Sequence, residues 1–202
     1  MRLTPTAVEG VVVVDLDPVH DERGLFARTF DAEIFAAAGL DARVAQGSLS
    51  FNVRAGTVRG LHRQVPPHAE EKLVRCVAGA VVDVAVDVRP GARTFGEHVM
   101  VELSAANRRA LFIAPYVAHG FQTLVDGTEL LYQVSGPYVP GAEQGFRHDD
   151  PAFGIAWPLP VTEVSPKDAS WPLLTSGGTA VRTTARTAER TARHAAAPAS
   201  GA

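Results

Sequence analysis

Between Lys72 and Val134 the chain keeps returning to one pattern: short runs rich in β-branched or aromatic residues, each closed off by Gly, Pro, Asn or Asp. The runs are Lys72–Val77, Val81–Val88, Val99–Leu103, Ala110–Ile113, Gly120–Leu124 and Glu129–Val134. Period-two alternation puts successive side chains on opposite faces, so each run reads as a strand. Their close spacing suits an antiparallel sandwich or barrel. One helix is expected, from an Asp31 N-cap through AEIFAAAG, with Gly39 placed to cap its C-terminus. The pattern therefore predicts an all-β fold, a jelly-roll barrel with a few short flanking helices, whose interior can hold a small ligand. With 202 residues, 46% of them hydrophobic, the chain can bury a core for one domain plus appendages.

Composition then narrows the function classes. The apolar runs Val11–Val14 and Ala80–Val82 are too short to span a bilayer, and MRLTPTAVEG has no apolar stretch of the kind a signal peptide needs. A cytoplasmic protein without membrane partners is expected. A formal charge of -3 gives no global attraction to nucleic acid, so any anion site must be a local cluster of Arg and Lys. The single Cys76 cannot form an internal disulfide and reads as a buried thiol. From Thr175 onward the chain is largely Ala, Thr, Ser, Gly and Arg, with Val181 its only large aliphatic residue. Such a segment cannot offset the entropy of ordering by burial. The expected organisation is a domain over 1–174 and a low-complexity, disordered tail over 175–202. Arg182, Arg186 and Arg190 stand at helical spacing, but like charges at that spacing repel.

The stretch GTVRGLHRQVPPHAEEKLVR, Gly56–Arg75, sets Arg59, His62 and Lys72 into two apparent strands joined by a Pro-Pro turn. In the second strand Lys72, Val74 and Cys76 share one face while Leu73, Arg75 and Val77 share the other, so each face carries one cation. If the barrel is closed, one cation points inward. Left unpaired there it would cost several kcal/mol, which favours a lined ligand cavity over a dry core. The alternative places Lys72 at the rim, snorkelling beside Glu70 or Glu71. His62 has the same two readings, as a base or as a satisfied rim residue. Arg59 has the opposite parity to His62, and Gly60 between them could supply a bulge that lets both face one cavity.

Five segments then carry a resemblance: VRGLH (Val58–His62), the run Lys72–Gly96, VELSAANRRALFI (Val101–Ile113), AHGFQTL (Ala118–Leu124) and DDPAFGIAWPL (Asp149–Leu159). In order and spacing they resemble the dTDP-4-dehydrorhamnose 3,5-epimerase family, the RmlC-like cupins, over roughly Val11 to Leu174. The resemblance implies a jelly-roll homodimer and a cofactor-free epimerase. Its substrate would be a nucleotide-diphosphate 4-keto-6-deoxysugar, inverted at carbons flanking the C4 ketone. That chemistry asks for a base to remove a proton beside the ketone and a fixed cation to stabilise the enolate. By resemblance His62 is the base, Asp168 its carboxylate partner, Lys72 the cation and His119 a further pocket residue. Tyr132 matches the position that returns a proton to the opposite face, with Tyr138 the nearby second candidate. Asp83 is a weaker candidate for holding Lys72 charged. Arg23 and Arg59 match anion-binding positions, with Gln46 and Phe26 completing the wall; the Arg fork donates bidentately to phosphate.

The chain also departs from the family's usual pattern. Arg28 stands where many members have an acidic residue, QGSLSFN replaces a more usual QDNHSRS, and Arg63 stands where an aromatic is common. These changes fall near the residues that would meet the nucleotide and the sugar entrance, so they bear on which nucleotide sugar is taken and on whether C3, C5 or both are inverted. Two rival classes remain. A metal-dependent cupin would need a second His where this chain has Gln64, which leaves a metal triad poorly supplied, and no metal site is expected. A non-catalytic sugar-binding cupin would predict loss of His62, Asp168 or Tyr132, all of which are present.

Overall fold

The computed structural model describes residues 1–174. In chain order the elements are β1 (Arg2–Pro5), β2 (Val11–Asp15), β3 (Val19–Asp21), β4 (Gly24–Phe26), α1 (Ala32–Ala37), β5 (Gln46–Asn52), β6 (Val58–Gln64) and β7 (Lys72–Ala78). There follow β8 (Ala80–Val86), β9 (His98–Ser104), β10 (Ala110–Ile113), β11 (Ala118–Thr123), β12 (Thr128–Val134), β13 (Glu143–Gly145) and α2 (Pro166–Ala169). One antiparallel sheet runs β1-β2-β10-β7-β12-β5, the other β13-β6-β11-β8-β9, and β3 and β4 form a separate hairpin. Every expected run is a strand, with ends shifted by at most two residues. The tail expected over 175–202 lies outside the described residues.

The two sheets face each other over a core drawn from both: Val74, Cys76, Leu111, Ile113 and Leu130 meet Val81, Ala85, Leu103 and Phe121. This is the jelly-roll sandwich that alternation predicts. The outer faces are covered as well. Phe35 of α1 packs on Val12, Val14, Leu73, Ala110 and Phe112 of the first sheet, and Phe146 and Phe153 cover Leu61, Val84 and Val86 of the second. The helix begins as expected, with the Asp31 carboxylate accepting from the Glu33 and Ile34 amides at 3.1 and 3.3 Å. Gly39, just past its end, takes the left-handed conformation at φ +73°.

The strands of the Gly56–Arg75 stretch differ from a simple hairpin. β6 and β7 belong to opposite sheets, so the Pro-Pro turn carries the chain across the sandwich. The apolar Gly10–Val14 segment, read from sequence as a strand that could add to a partner's sheet, is not free to do so, because β2 is hydrogen-bonded on both flanks, to β1 and to β10. The free edges of that sheet are β1 and β5. After β13 the chain returns as a strap across the second sheet. Gly56 and Val58 bond it at Thr162 and Glu163, and the buried Gln122 amide grips Leu159 through both its ends, at 2.9 and 3.0 Å. The strap ends in α2.

Candidate active site

A cavity of about 580 Å³ opens between the sheets, within the range usual for small-ligand sites. Strand β5 forms one wall, β6, β7, β11 and β12 supply Arg59, His62, Lys72, His119 and Tyr132, and the strap adds Ser165, Lys167 and Asp168. Arg59 and His62 share the cavity because of a register shift. His62 pairs with His119 and Arg59 with Phe121, three residues apart on β6 against two on β11, so β6 carries one extra residue there. Gly60, at φ +116°, crosses Gly120 so closely that a Cβ on it would lie 2.6 Å from the Gly120 Cα. Only glycine fits that crossing. The bulge expected at Gly60 is thus present and places both side chains on one wall.

His62 is half-buried, and its Nε2 lies 2.7 Å from Asp168 Oδ1. The Gly60 amide donates to the other Asp168 oxygen at 3.2 Å. Burial pushes the Asp168 carboxyl up, but the bond and charge of His62, the Gly60 amide and Ser165 outweigh it and hold the group below the ordinary carboxylate range. Asp168 therefore stays ionised, fixes the ring and stabilises an imidazolium when one forms.

Lys72 points inward with Val74 and Cys76, as the face pattern requires, and also makes the ion pair of the alternative reading: its Nζ is 2.5 Å from Glu70 Oε1. Both descriptions of Lys72 hold together. Asp83 does not hold Lys72; it pairs with His119, whose Nε2 is 2.7 Å from Asp83 Oδ1. On these adjacent strands His119 stands opposite Ala85 and Asp83 opposite Phe121, so the bond runs diagonally within one sheet. Burial raises the Asp83 carboxyl, only partly offset by His119. The Tyr132 ring stands edge-on to His119 at 6.2 Å. Burial, then the negative charge of Asp83, pushes its hydroxyl well above the ordinary phenol range against the weaker pull of Arg59, so the hydroxyl keeps its proton.

Four expected residues do not line this cavity. Arg23 and Phe26 sit on the exposed β3–β4 hairpin, where Arg23 pairs with its neighbour Asp21. Gln46 accepts from the Tyr138 amide at 2.9 Å, and Tyr138 is itself exposed at the rim. Hairpin geometry, not distance in sequence, separates the first pair from the site. The departures at Arg28 and Arg63 are structural: Arg28 bonds the helix-capping Asp31, and Arg63 bonds Gln144 and the Tyr116 carbonyl beneath Phe146. Gln64, at the missing metal-ligand position, bonds Glu70 and the Val139 amide.

Sequence reasoning missed Glu143 and Lys167. Glu143 Oε1 lies 3.5 Å from His62 Nδ1, and its other oxygen pairs with Lys167. Lys167 was findable: Ser165-Pro166 followed by Asp168 is a helix-start signature, which places residue 167 on the same turn as Asp168. Glu143 left no comparable trace, because a three-residue strand such as EQG has no periodicity to read.

Three comparisons bear on this geometry. The family described as dTDP-4-dehydrorhamnose 3,5-epimerase matches residues 5–176. A dTDP-4-dehydrorhamnose 3,5-epimerase of Sinorhizobium fredii is 45% identical over 155 residues, 76% of this chain and 80% of that protein. A dTDP-4-dehydrorhamnose 3-epimerase of Streptomyces niveus is 40% identical over 169 residues, 83% of this chain and 81% of that protein. A crystal structure of the Bacillus anthracis 3,5-epimerase with TDP and PPi bound superposes with a TM-score of 0.82 at 33% identity, covering 86% of this chain and 99% of the other.

Proposed function

The chain belongs to the dTDP-4-dehydrorhamnose 3,5-epimerase family, and on that premise we propose that it epimerises a nucleotide-linked 4-keto-6-deoxyhexose at C3, C5 or both. The observation that carries this reading is the shared cavity: a His62–Asp168 pair, the Lys72 ammonium and a protonated Tyr132 open into one space. His62 takes a proton from the carbon beside the C4 ketone, and Asp168 stabilises the imidazolium. Lys72 meets the charge that develops on the ketone oxygen. Tyr132 returns a proton from the other face, and that return converts exchange into inversion. Arg59 holds the diphosphate. The Lys72 ammonium supplies the charge that a metal would otherwise provide, so turnover should survive dialysis against a chelator.

We further propose a homodimer. Leu49 and Phe51 of the edge strand β5, with Val53 just past its end, leave an exposed apolar row, which a second copy would cover. The β3–β4 hairpin holds Arg23 and Phe26 out to solvent, where they are free to reach a partner's cavity. Light scattering at micromolar concentration should give twice the monomer mass; a monomer mass contradicts the assignment. A cytoplasmic location fits a nucleotide-sugar substrate, and among the described residues no helix is long and apolar enough to cross a membrane.

The substrate test is incubation with dTDP-4-keto-6-deoxyglucose in heavy water, reading deuterium at C3 and C5 separately. Incorporation at either carbon with a changed configuration is expected. A product unchanged and unlabelled at both carbons overturns the assignment. The separate reading matters because a C3-specific relative is 40% identical to this chain.

A further inference from the structure

We propose that Asn52 is a positioning residue that fixes the Arg59 guanidinium in the one orientation that presents its far end to an anion in the cavity. The proposal rests on the reading above that Arg59 meets the diphosphate. Asn52 ends β5 and is 1% exposed. Its Oδ1 accepts from Arg59 Nε at 2.8 Å, and its Nδ2 donates to the Thr128 carbonyl at 3.2 Å. A guanidinium only donates and a carbonyl only accepts, so the amide can stand only one way round. Buried and satisfied at both ends, Asn52 is a rigid acceptor.

The consequence falls on Arg59. A guanidinium can grip a phosphate along the Nε–Nη2 edge or end-on through both Nη groups. Asn52 occupies Nε, and Nη2 makes a long bond of 3.4 Å to the Phe51 carbonyl. Nη1 has no protein partner among the described residues. The edge is therefore closed and the end-on grip is left, already oriented on an otherwise flexible and exposed side chain. Asn52 also belongs to the QGSLSFN run, in which it replaces the serine of the more usual QDNHSRS. A serine is one heavy atom shorter, and its hydroxyl both donates and accepts, so it cannot fix Arg59 in the same way.

The test is a double-mutant cycle on the full chain, with dTDP as probe in isothermal titration and a melting curve for each variant. Asn52→Leu and Arg59→Met are made singly and together, and Asn52→Ser is made in case the leucine variant does not fold. Each Asn52 variant should weaken dTDP binding about tenfold, one hydrogen bond's orientation on the usual scale. The double variant should bind no worse than Arg59→Met alone, even where its melting temperature drops further. In turnover the Asn52 loss should appear in KM, with kcat nearly kept. Unchanged binding in the folded Asn52 variants overturns the proposal, as do losses that simply multiply in the double variant. Absence of dTDP binding by the wild-type chain overturns the diphosphate reading itself, and the proposal with it.

Discussion

Two His–Asp pairs, their histidines on neighbouring strands, have the same Nε2–Oδ1 separation of 2.7 Å, yet their surroundings give them opposite characters. His62 is 30% exposed to the cavity, while Asp168 is hydrogen-bonded through both oxygens. His119 is 6% exposed and Asp83 wholly buried, with Asp83 Oδ2 lacking a partner among the described residues. The carboxyl groups respond in opposite directions: Asp168 is held below the ordinary carboxylate range, and Asp83 is raised by burial. A general base needs an open face and a partner already committed to its charge. The outer pair supplies both. The inner pair instead stiffens the wall on which Tyr132 leans.

The sharpest way to break this comparison is to remove each imidazole in turn. His62→Asn should lose on the order of 10²–10⁴ in rate and abolish both solvent exchange and epimerisation. His119→Asn should lose less and retain exchange; equal losses measured by deuterium incorporation would erase the distinction between the pairs. Next in size is Tyr132→Phe, in which deuterium should still enter beside the ketone while inverted product falls. A parallel loss of both would shift the acid role to Tyr138 or a bound water.

A smaller and more specific effect concerns pH. A lowered folded-state carboxyl contributes stability that is present above its unfolded value, about 3.9, and is lost as pH falls through the folded value; a raised one costs stability as pH rises above about 3.9. Asp168→Asn should therefore reduce the gain in stability between pH 3 and pH 7, and Asp83→Asn should enlarge it. Denaturant midpoints of the two variants at both pH values check the signs, and shifts of the same sign would refute the contrast. Smallest of all, deletion of residues 175–202 should leave turnover and melting temperature unchanged within error, because that segment has almost nothing to bury. A clear loss in either would contradict the expectation.

What could be read in advance follows from how local each signal is. Strands and the α1 cap were legible because alternation and an N-cap aspartate act over a few residues. Parity showed only that one of Lys72 and Arg75 points inward, and the resemblance assigned Lys72 to the pocket; the Gly60 bulge followed from the need to reconcile Arg59 with His62. Asp168 lies 106 residues from His62, and only resemblance joined them, since no local pattern reports a contact made by a returning strap. Asp83, a weaker candidate partner for Lys72, meets His119 instead, for a related reason: its strand position does not say which cation it meets. Arg23 and Phe26 were tied to the cavity by motif, whereas their position depends on where a short hairpin points.

The strap has one more consequence, which concerns the order in which the protein is made. His62 is translated early, and most of the sandwich residues are in place by Val134, but the carboxylate that bonds His62 is among the last described residues to leave the ribosome. A chain interrupted after residue 160 could pair its strands and keep Arg59 and Lys72 on the cavity wall, yet it would lack the carboxylate that meets Nε2 of its histidine. On the proposed mechanism catalytic competence is thus deferred to the end of synthesis, and incomplete chains would stay inert toward the sugar.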